Sequence, residues 1–462
     1  MSGIERVGVH VPRYRLARSE IAVAWGGSVR PGARAVAGWD EDALSMAVQA
    51  AEQCLGDVDR STVDLVIVAS TTLPYAEKQT AALAAEALDL RPDVETVDVG
   101  SSLRGATQAL KLGLHALAAG ARRVLVTCAD SRPARAGSRM EAEFGDAAVA
   151  FLLGPEAPVT LRPLTTRPST AVDYWRLADD RFVRQGDERF GSKVIYQGEV
   201  RAAVQVALRG AGLTADGIAA LALAGADYRA AVAAGADSGF PAAKVAGQAV
   251  YSGIGQCGVA MAPLCLVAAL EAAQAGESAL LVGYGDGVDV LLVTAAAAAP
   301  FGTPLGDELA GGIAMQYGQF LKVKALVEEE PIDPFTSEIA LWRDARYLVR
   351  LHAPRCNQCG AVQYPPRRVC WQCRHKDDFT EVSLARAGRL YTYTVEHLFP
   401  VPDAHLITAV VDLSDGARIY TQLVDCLPDQ IAVGMPLRLV FRRVHRGKGL
   451  NHYFWKAVPV RE

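Results

Sequence analysis

Four of the nine cysteines fall into the pattern Cys356-x-x-Cys359 and Cys370-x-x-Cys373, with ten residues between the pairs. Each CxxC turn brings two thiolates to one side of a tight loop, and Gly360 after the first pair fits that turn. Two such turns close a tetrahedral S₄ shell, which suits Zn²⁺; iron in the same shell is the alternative. Four protein ligands leave no open position, so the metal is expected to be structural. It would contribute on the order of 10 kcal/mol to folding a small module. His375 lies close enough in sequence to substitute as a ligand but is not needed. The other five cysteines are scattered singly, which fits a reducing compartment better than a disulfide framework.

The elements that must carry this and any other chemistry change character along the 462 residues. Up to about Pro300, short apolar runs such as Val63 to Ala69 and Arg123 to Thr127 alternate with helix-forming stretches such as Ala81 to Leu88 and Ala106 to Ala119. That alternation predicts parallel strands with crossover helices. The pattern recurs at a displacement of roughly 155 residues, with Ile218 to Leu223 and Glu277 to Val293 echoing the earlier runs, which predicts two α/β halves. Tyr317 to Glu330 reads as one amphipathic helix ended by Pro331 and Pro334. Beyond the cysteines, alternating runs including Arg389 to Val395, Leu406 to Leu413, Arg418 to Val424 and Pro436 to Phe441 predict a small antiparallel barrel. The expected divisions are therefore 1–300 (halves about 1–160 and 161–300), a helical connector 301–350, a metal module 351–385 and a barrel 386–462.

Composition narrows the function classes. The chain is 51% hydrophobic and 21% charged with net charge −4, which excludes a generally basic nucleic-acid-coating protein. Leu351 to Glu462 carries 15 basic and 10 acidic residues, net +5, leaving −9 for the rest. No apolar run approaches the roughly 20 residues of a membrane span, and a cytoplasmic protein without a membrane partner is expected. Arg442, Arg443, Arg446 and Lys448 form a basic stretch that fits a solvated hairpin better than a single-stranded nucleic-acid site, so nucleic acid is not an expected partner.

The stretch from Arg355 to about Trp455, including "CGAVQYPPRRVCWQC", "GRLYTYTV" and "IAVGMPLRLVFR", resembles the zinc-ribbon/OB-fold proteins that accompany thiolases and HMG-CoA-synthase-like enzymes. The first 300 residues resemble HMG-CoA synthase and its archaeal-type relatives in the thiolase superfamily. The resemblance rests on "VHVPRYRL", "WDEDALSMAVQAAEQCL", "STTLPYAEKQTAALAAEAL", "DVGSSLRGATQAL", "DYWR" and "IGQCGVAMAPLCLVAALEAA". Together they imply an α/β fold: a duplicated thiolase-like αβαβα core, a rubredoxin-like zinc ribbon and an OB-fold barrel that would cap or complete a substrate tunnel. They also imply at least a homodimer.

The same resemblance puts the chemistry in question. Matching "SSLRGATQAL" to the family pattern places Leu103 where the acylated cysteine stands. "LALAGADYRAA" lacks the family's histidine, Gln256 stands at its asparagine and Thr71 at its catalytic glutamate; His115 is the sole histidine between Val11 and Pro300. The remaining catalytic candidates are Ser102, Tyr75, Cys257 and Gln256, with Ser101, Lys78, Tyr174, Tyr251 and Asp227 as further polar groups. Ser101 and Ser102 would sit at a helix N-terminus able to hold an oxyanion. Cys54, Cys128 and Cys265 read as core. The resemblance implies a CoA or acyl-carrier thioester as substrate and partner, with C–C bond making or breaking on a β-hydroxy or β-keto acyl group, without a covalent cysteine, in specialised acyl or polyketide metabolism. A non-catalytic scaffold and direct acyl transfer to an O or N acceptor are the alternatives.

Overall fold

Val63–Ala69 and Arg123–Asp130 form strands buried along nearly their whole length, as their unbroken apolar sequences require of central sheet positions. The computed structural model describes residues 2–28, 30–296, 302–327, 334–397, 402 and 405–460. Two units are distinguished. One comprises Met1–Gly38, Asp42–Ala85 and Leu90–Phe320; the other comprises Trp39–Glu41, Glu86–Asp89 and Leu321–Glu462.

The first unit is built on a nine-stranded sheet. In spatial order its strands are Ala220–Leu223, Ser278–Tyr284, Gly287–Ala295, Val159–Pro168, Gly3–His10, Ala147–Gly154, Arg123–Asp130, Val63–Ala69 and Glu95–Val99. The order shows the duplication. Gly3–His10, Ala147–Gly154, Arg123–Asp130 and Val63–Ala69 run outward from the middle, and Val159–Pro168, Gly287–Ala295, Ser278–Tyr284 and Ala220–Leu223 run outward the other way. The halves join where Gly3 and Ile4 pair with Thr160 and Val159. The sheet is mixed, which corrects the expectation of parallel strands. Only three pairings are parallel, Val63–Ala69 with each neighbour and Ala220–Leu223 with Ser278–Tyr284. The others are antiparallel: the short link from Tyr284 to Gly287 turns the chain straight back, and other antiparallel pairs join strands distant in sequence, such as Gly3–His10 with Ala147–Gly154.

Two helices, Gly105–Ala118 and Met261–Ala272, contribute to one continuous core with both halves of the sheet. Met261–Ala272 has no polar side chain before Glu271, as a helix buried all round requires. Ala43–Leu55 begins at a capping box in which Asp42 and Ser45 exchange hydrogen bonds, and packs on Gly3–His10 and Ala147–Gly154. The helix expected over Tyr317 to Glu330 is shorter, Tyr317–Val323. Ala325 takes a left-handed φ of 50°, and the N–H groups of Ala325 and Leu326 close back on the carbonyls of Lys322 and Leu321, a Schellman stop. Glu328, Glu329, Glu330 and Pro331 lie outside the described residues.

In the second unit His352–Cys356 pairs with Phe379–Ser383 around the cysteine loops. A five-stranded sheet follows in the order Arg418–Gln422, Leu406–Leu413, Ala387–Glu396, Pro436–Gly447, Leu450–Pro459. Its outer strands meet through the Leu423–Ala457 bridge, which closes the barrel around Trp455, Phe441 and Leu439. The basic hairpin is not simply solvated. Arg442 is buried and ion-paired to Glu41 and to Asp425 at 2.7 Å, and Arg443 donates to the Trp39 carbonyl. Lys456 is also buried, 2.9 Å from Asp40. Spacing alone cannot reveal acidic partners hundreds of residues away.

Candidate active site and metal centre

The Sγ atoms of Cys356, Cys359, Cys370 and Cys373 all lie within 4.8 Å of one another, with Cys356–Cys373 and Cys359–Cys370 at 3.6 Å. A tetrahedron with Zn–S bonds of about 2.3 Å places its sulfurs about 3.8 Å apart, so the four residues fit a zinc ion. Backbone hydrogen bonds shape the loops: Gly360 N–H donates to the Cys356 carbonyl and Cys370 N–H to the His375 carbonyl. His375 faces Asp378 at 3.5 Å and is not one of the grouped ligands.

In the first unit two lobes of about 330 Å³ and 260 Å³ share Leu103, Arg132, Asp173, Tyr174 and Tyr284, so they form one cleft with these residues at its waist. Strand Glu95–Val99 ends at Gly100, and Ser101 turns the chain with φ 67° toward the helix beginning at Gly105. Leu103 is presented in that turn. Its backbone is crowded by Gly285, whose φ is 154°; a Cβ there would lie 2.9 Å from the Leu103 nitrogen. The helix is tied down by Asp289, fully buried, which accepts from Thr107 Oγ1 at 2.9 Å and Lys111 Nζ at 2.6 Å.

The larger lobe is shaped by Asp130. Its buried carboxylate accepts from Ser70 Oγ, Thr71 N–H, Thr71 Oγ1, Thr72 Oγ1 and Val259 N–H, all between 2.7 and 3.1 Å. All four residues of "DYWR", Asp173 to Arg176, line this lobe, and Arg176 donates to the Thr71 carbonyl. At the waist Tyr284 Oη donates to Asp173 Oδ2 at 3.3 Å. Burial raises the Asp173 carboxyl above its ordinary value, an effect that the Tyr284 hydrogen bond and the nearby Arg132 only partly oppose. Burial also raises the phenols of Tyr174 and Tyr284, which keeps both as hydrogen-bond donors.

The candidates read from the sequence divide. Tyr75, Thr71 and Ser101 line the larger lobe, Gln256 and Asp227 the smaller, and Tyr174 both. Gln256 spends its Oε1 on Gly258 N–H, and Asp227 caps the helix beginning at Tyr228. Ser102 turns away: its Oγ donates to the Gly285 carbonyl, and its oxygens occupy the N–H groups of Arg104 and Gly105 that were expected to face an oxyanion. Cys257 is fully buried in the core and lines neither lobe, and burial pushes its thiol well above the ordinary value. Tyr251 is buried against Gly225 N–H, while Lys78 and His115 are exposed outside both lobes. Cys54, Cys128 and Cys265 are core, as expected. Arg132, Tyr196 and Tyr284 were missed. The turn Tyr-Gly-Asp-Gly at 284–287 was the one available signal; nothing local marks Arg132 or Tyr196.

Residues 343–380 match the family described as the ChsH2 rubredoxin-like zinc ribbon domain, and residues 381–442 the ChsH2 C-terminal OB-fold domain. A DUF35 domain-containing scaffold protein of Methanocaldococcus jannaschii is 37% identical over 124 residues, 26% of this chain and 88% of the relative. The hydroxymethylglutaryl-CoA synthase of Pyrococcus horikoshii is 28% identical over 292 residues, 62% of this chain and 83% of the relative. The chain belongs to the DUF35 family through its zinc ribbon and OB fold, and its larger part has HMG-CoA synthase-like, thiolase-fold homologues. A solved structure of HMG-CoA synthase complexed with CoA shares its fold, with TM-score 0.66 and 19% identity over 73% of this chain and 94% of that one. Among the described residues no cysteine or histidine lines the cleft. Among the described residues no helix is long and apolar enough to cross a membrane.

Proposed function

We propose that the cleft binds an acyl thioester of CoA or a carrier protein and makes or breaks a C–C bond by acid–base catalysis, without an acyl-enzyme. The observation that carries this reading is the Asp173–Tyr284 pair at the waist, beside a leucine at 103. A half-buried carboxyl with a raised pKa is suited to accept a proton, and a half-buried phenol to donate one. In the cleavage direction Asp173 takes the proton of a β-hydroxyl and the Cα–Cβ bond breaks. Its electron pair becomes a thioester enolate, which is protonated at Cα with Tyr284 or Tyr174 as donor. The products are a carbonyl compound and a shortened acyl thioester. Condensation is the reverse. The CoA in the solved HMG-CoA synthase supports the choice of thioester, and Zn²⁺ in the ribbon would be structural.

The test is turnover of β-hydroxyacyl-CoA thioesters, followed by carbonyl release. The expected result is activity in the parent chain and a loss of about 10²–10⁴ in kcat for Asp173→Asn. Neither turnover nor thioester binding by the parent would sink the reading. The name of the DUF35 scaffold relatives favours a second one, in which the chain organises partner enzymes without turnover. Copurification of an inactive chain with a cysteine-containing relative would select it. A homodimer through the exposed edge strand Glu95–Val99 accompanies either reading and is measured by light scattering.

A further inference from the structure

Arg132 is 5% exposed, yet it lines both lobes of the cleft. Among the described residues nothing accepts a hydrogen bond from it, and no carboxylate is within ion-pair distance. What it does have is cation–π contact: its guanidinium carbon lies 4.3 Å from the Phe144 ring centroid and 5.2 Å from that of Tyr174. Neither ring supplies a hydrogen-bond-accepting oxygen in these cation–π contacts, so they leave the guanidinium without an anionic partner. The acidic groups nearest in its electrostatic surroundings are Asp130 and Asp173. Asp130 is committed to the Ser70–Thr72 loop and to Val259, and Asp173 to Tyr284. A buried cation without an anion is costly, and arginine does not escape the cost by losing its proton. Tyr196 also lines the smaller lobe; it is 3% exposed, and its buried hydroxyl has no hydrogen-bond partner among the described residues.

We propose that Arg132 anchors a carboxylate at the far end of the acyl chain, so that the cleft takes dicarboxylic acyl thioesters in preference to monocarboxylic ones of equal length. The forked guanidinium matches a carboxylate bidentately, and Tyr196 offers a further donor in the same lobe. The proposal rests on the acyl-thioester reading of the cleft and adds the class of acyl group.

The test is calorimetric titration of the full-length, zinc-loaded chain with CoA, hexanoyl-CoA, adipyl-CoA and free adipate. Adipyl-CoA is expected to bind at least about tenfold tighter than hexanoyl-CoA. Arg132→Gln should abolish that preference, bringing adipyl-CoA to the affinity of hexanoyl-CoA. Equal binding of the two thioesters by the parent chain overturns the proposal, a measurement that stands even if the variant does not fold. So does an Arg132→Gln protein that keeps the preference, or one that weakens CoA and both thioesters alike, since the anion would then be a CoA phosphate. If CoA and both thioesters fail to bind, the acyl-thioester reading fails by itself. Free adipate then decides Arg132, binding that depends on Arg132 supporting a carboxylate anchor and no binding overturning it.

Discussion

Gly258 lies directly against the Asp130 carboxylate: a Cβ at residue 258 would sit 2.0 Å from Asp130 Oδ2. Gly258 also holds a φ of 56°, a conformation that strains L side chains. The contact matters because that carboxylate organises the Ser70–Thr72 loop, one wall of the larger lobe. Gly258→Ala is therefore expected to destabilise by about 2 kcal/mol or more through that clash and backbone strain, and Asp130→Ala by about 3 kcal/mol or more because it leaves buried donors without their acceptor. Denaturant unfolding of both variants checks this; an unchanged midpoint for either would contradict it.

Thiol reactivity should follow burial. Cys257 is pushed well above its ordinary pKa, and Cys54 and Cys265 up to about 12, in each case by desolvation. These three, with buried Cys128, are expected to resist iodoacetamide at pH 8, read by peptide mapping of the native protein. Leu103→Cys should add one alkylated site, since residue 103 faces the cleft.

The parent chain is expected to hold one zinc per molecule by elemental analysis, and Cys370→Ser to lose it. Loss should lower the stability of the second unit by several kcal/mol, on the order of the metal's binding energy. A fully stable, metal-free Cys370→Ser protein would contradict a structural role.

His352 is held between two carboxylates, with Nε2 2.9 Å from Asp89 and Nδ1 2.7 Å from Glu381. Both ring nitrogens must then donate, so the imidazolium is favoured. The Asp89 bond raises the His352 pKa, the opposing effect of burial is smaller, and the Glu381 bond adds to the rise. Burial would raise the Asp89 carboxyl, but its bonds to His352 and Arg350 outweigh that and bring it down to about 2. The raised His352 pKa stabilises fully below the ordinary histidine value, about 6.5, and its contribution is lost as pH rises through the folded value above that. The depressed Asp89 pKa stabilises above about 3.8 and is lost as pH falls toward about 2. The melting temperature of His352→Gln should therefore fall furthest below the parent near pH 5.5, by the equivalent of about 1 kcal/mol, and converge with it at alkaline pH. A gap that widens with pH would refute the assignment.

Local pattern was sufficient for what local chemistry controls. The S₄ set follows from the spacing of Cys356, Cys359, Cys370 and Cys373, because two tight turns bring the ligands together without help from the rest of the chain. The duplicated halves and the antiparallel barrel were likewise legible in repeated apolar runs and alternation, since burial on one or both faces of a strand fixes those patterns. Tertiary packing decided the rest. Whether strands ran parallel depended on links that spacing did not distinguish. Whether Ser102 or Ser101 faced the cleft depended on Gly285, 183 residues from Ser102. Cys257 was lost to the core, and Arg132 was left without an anion, by neighbours contributed from distant segments. Charge and hydrogen bonding act through space, so the sequence named the polar groups, while only the fold determined which of them remained unspent.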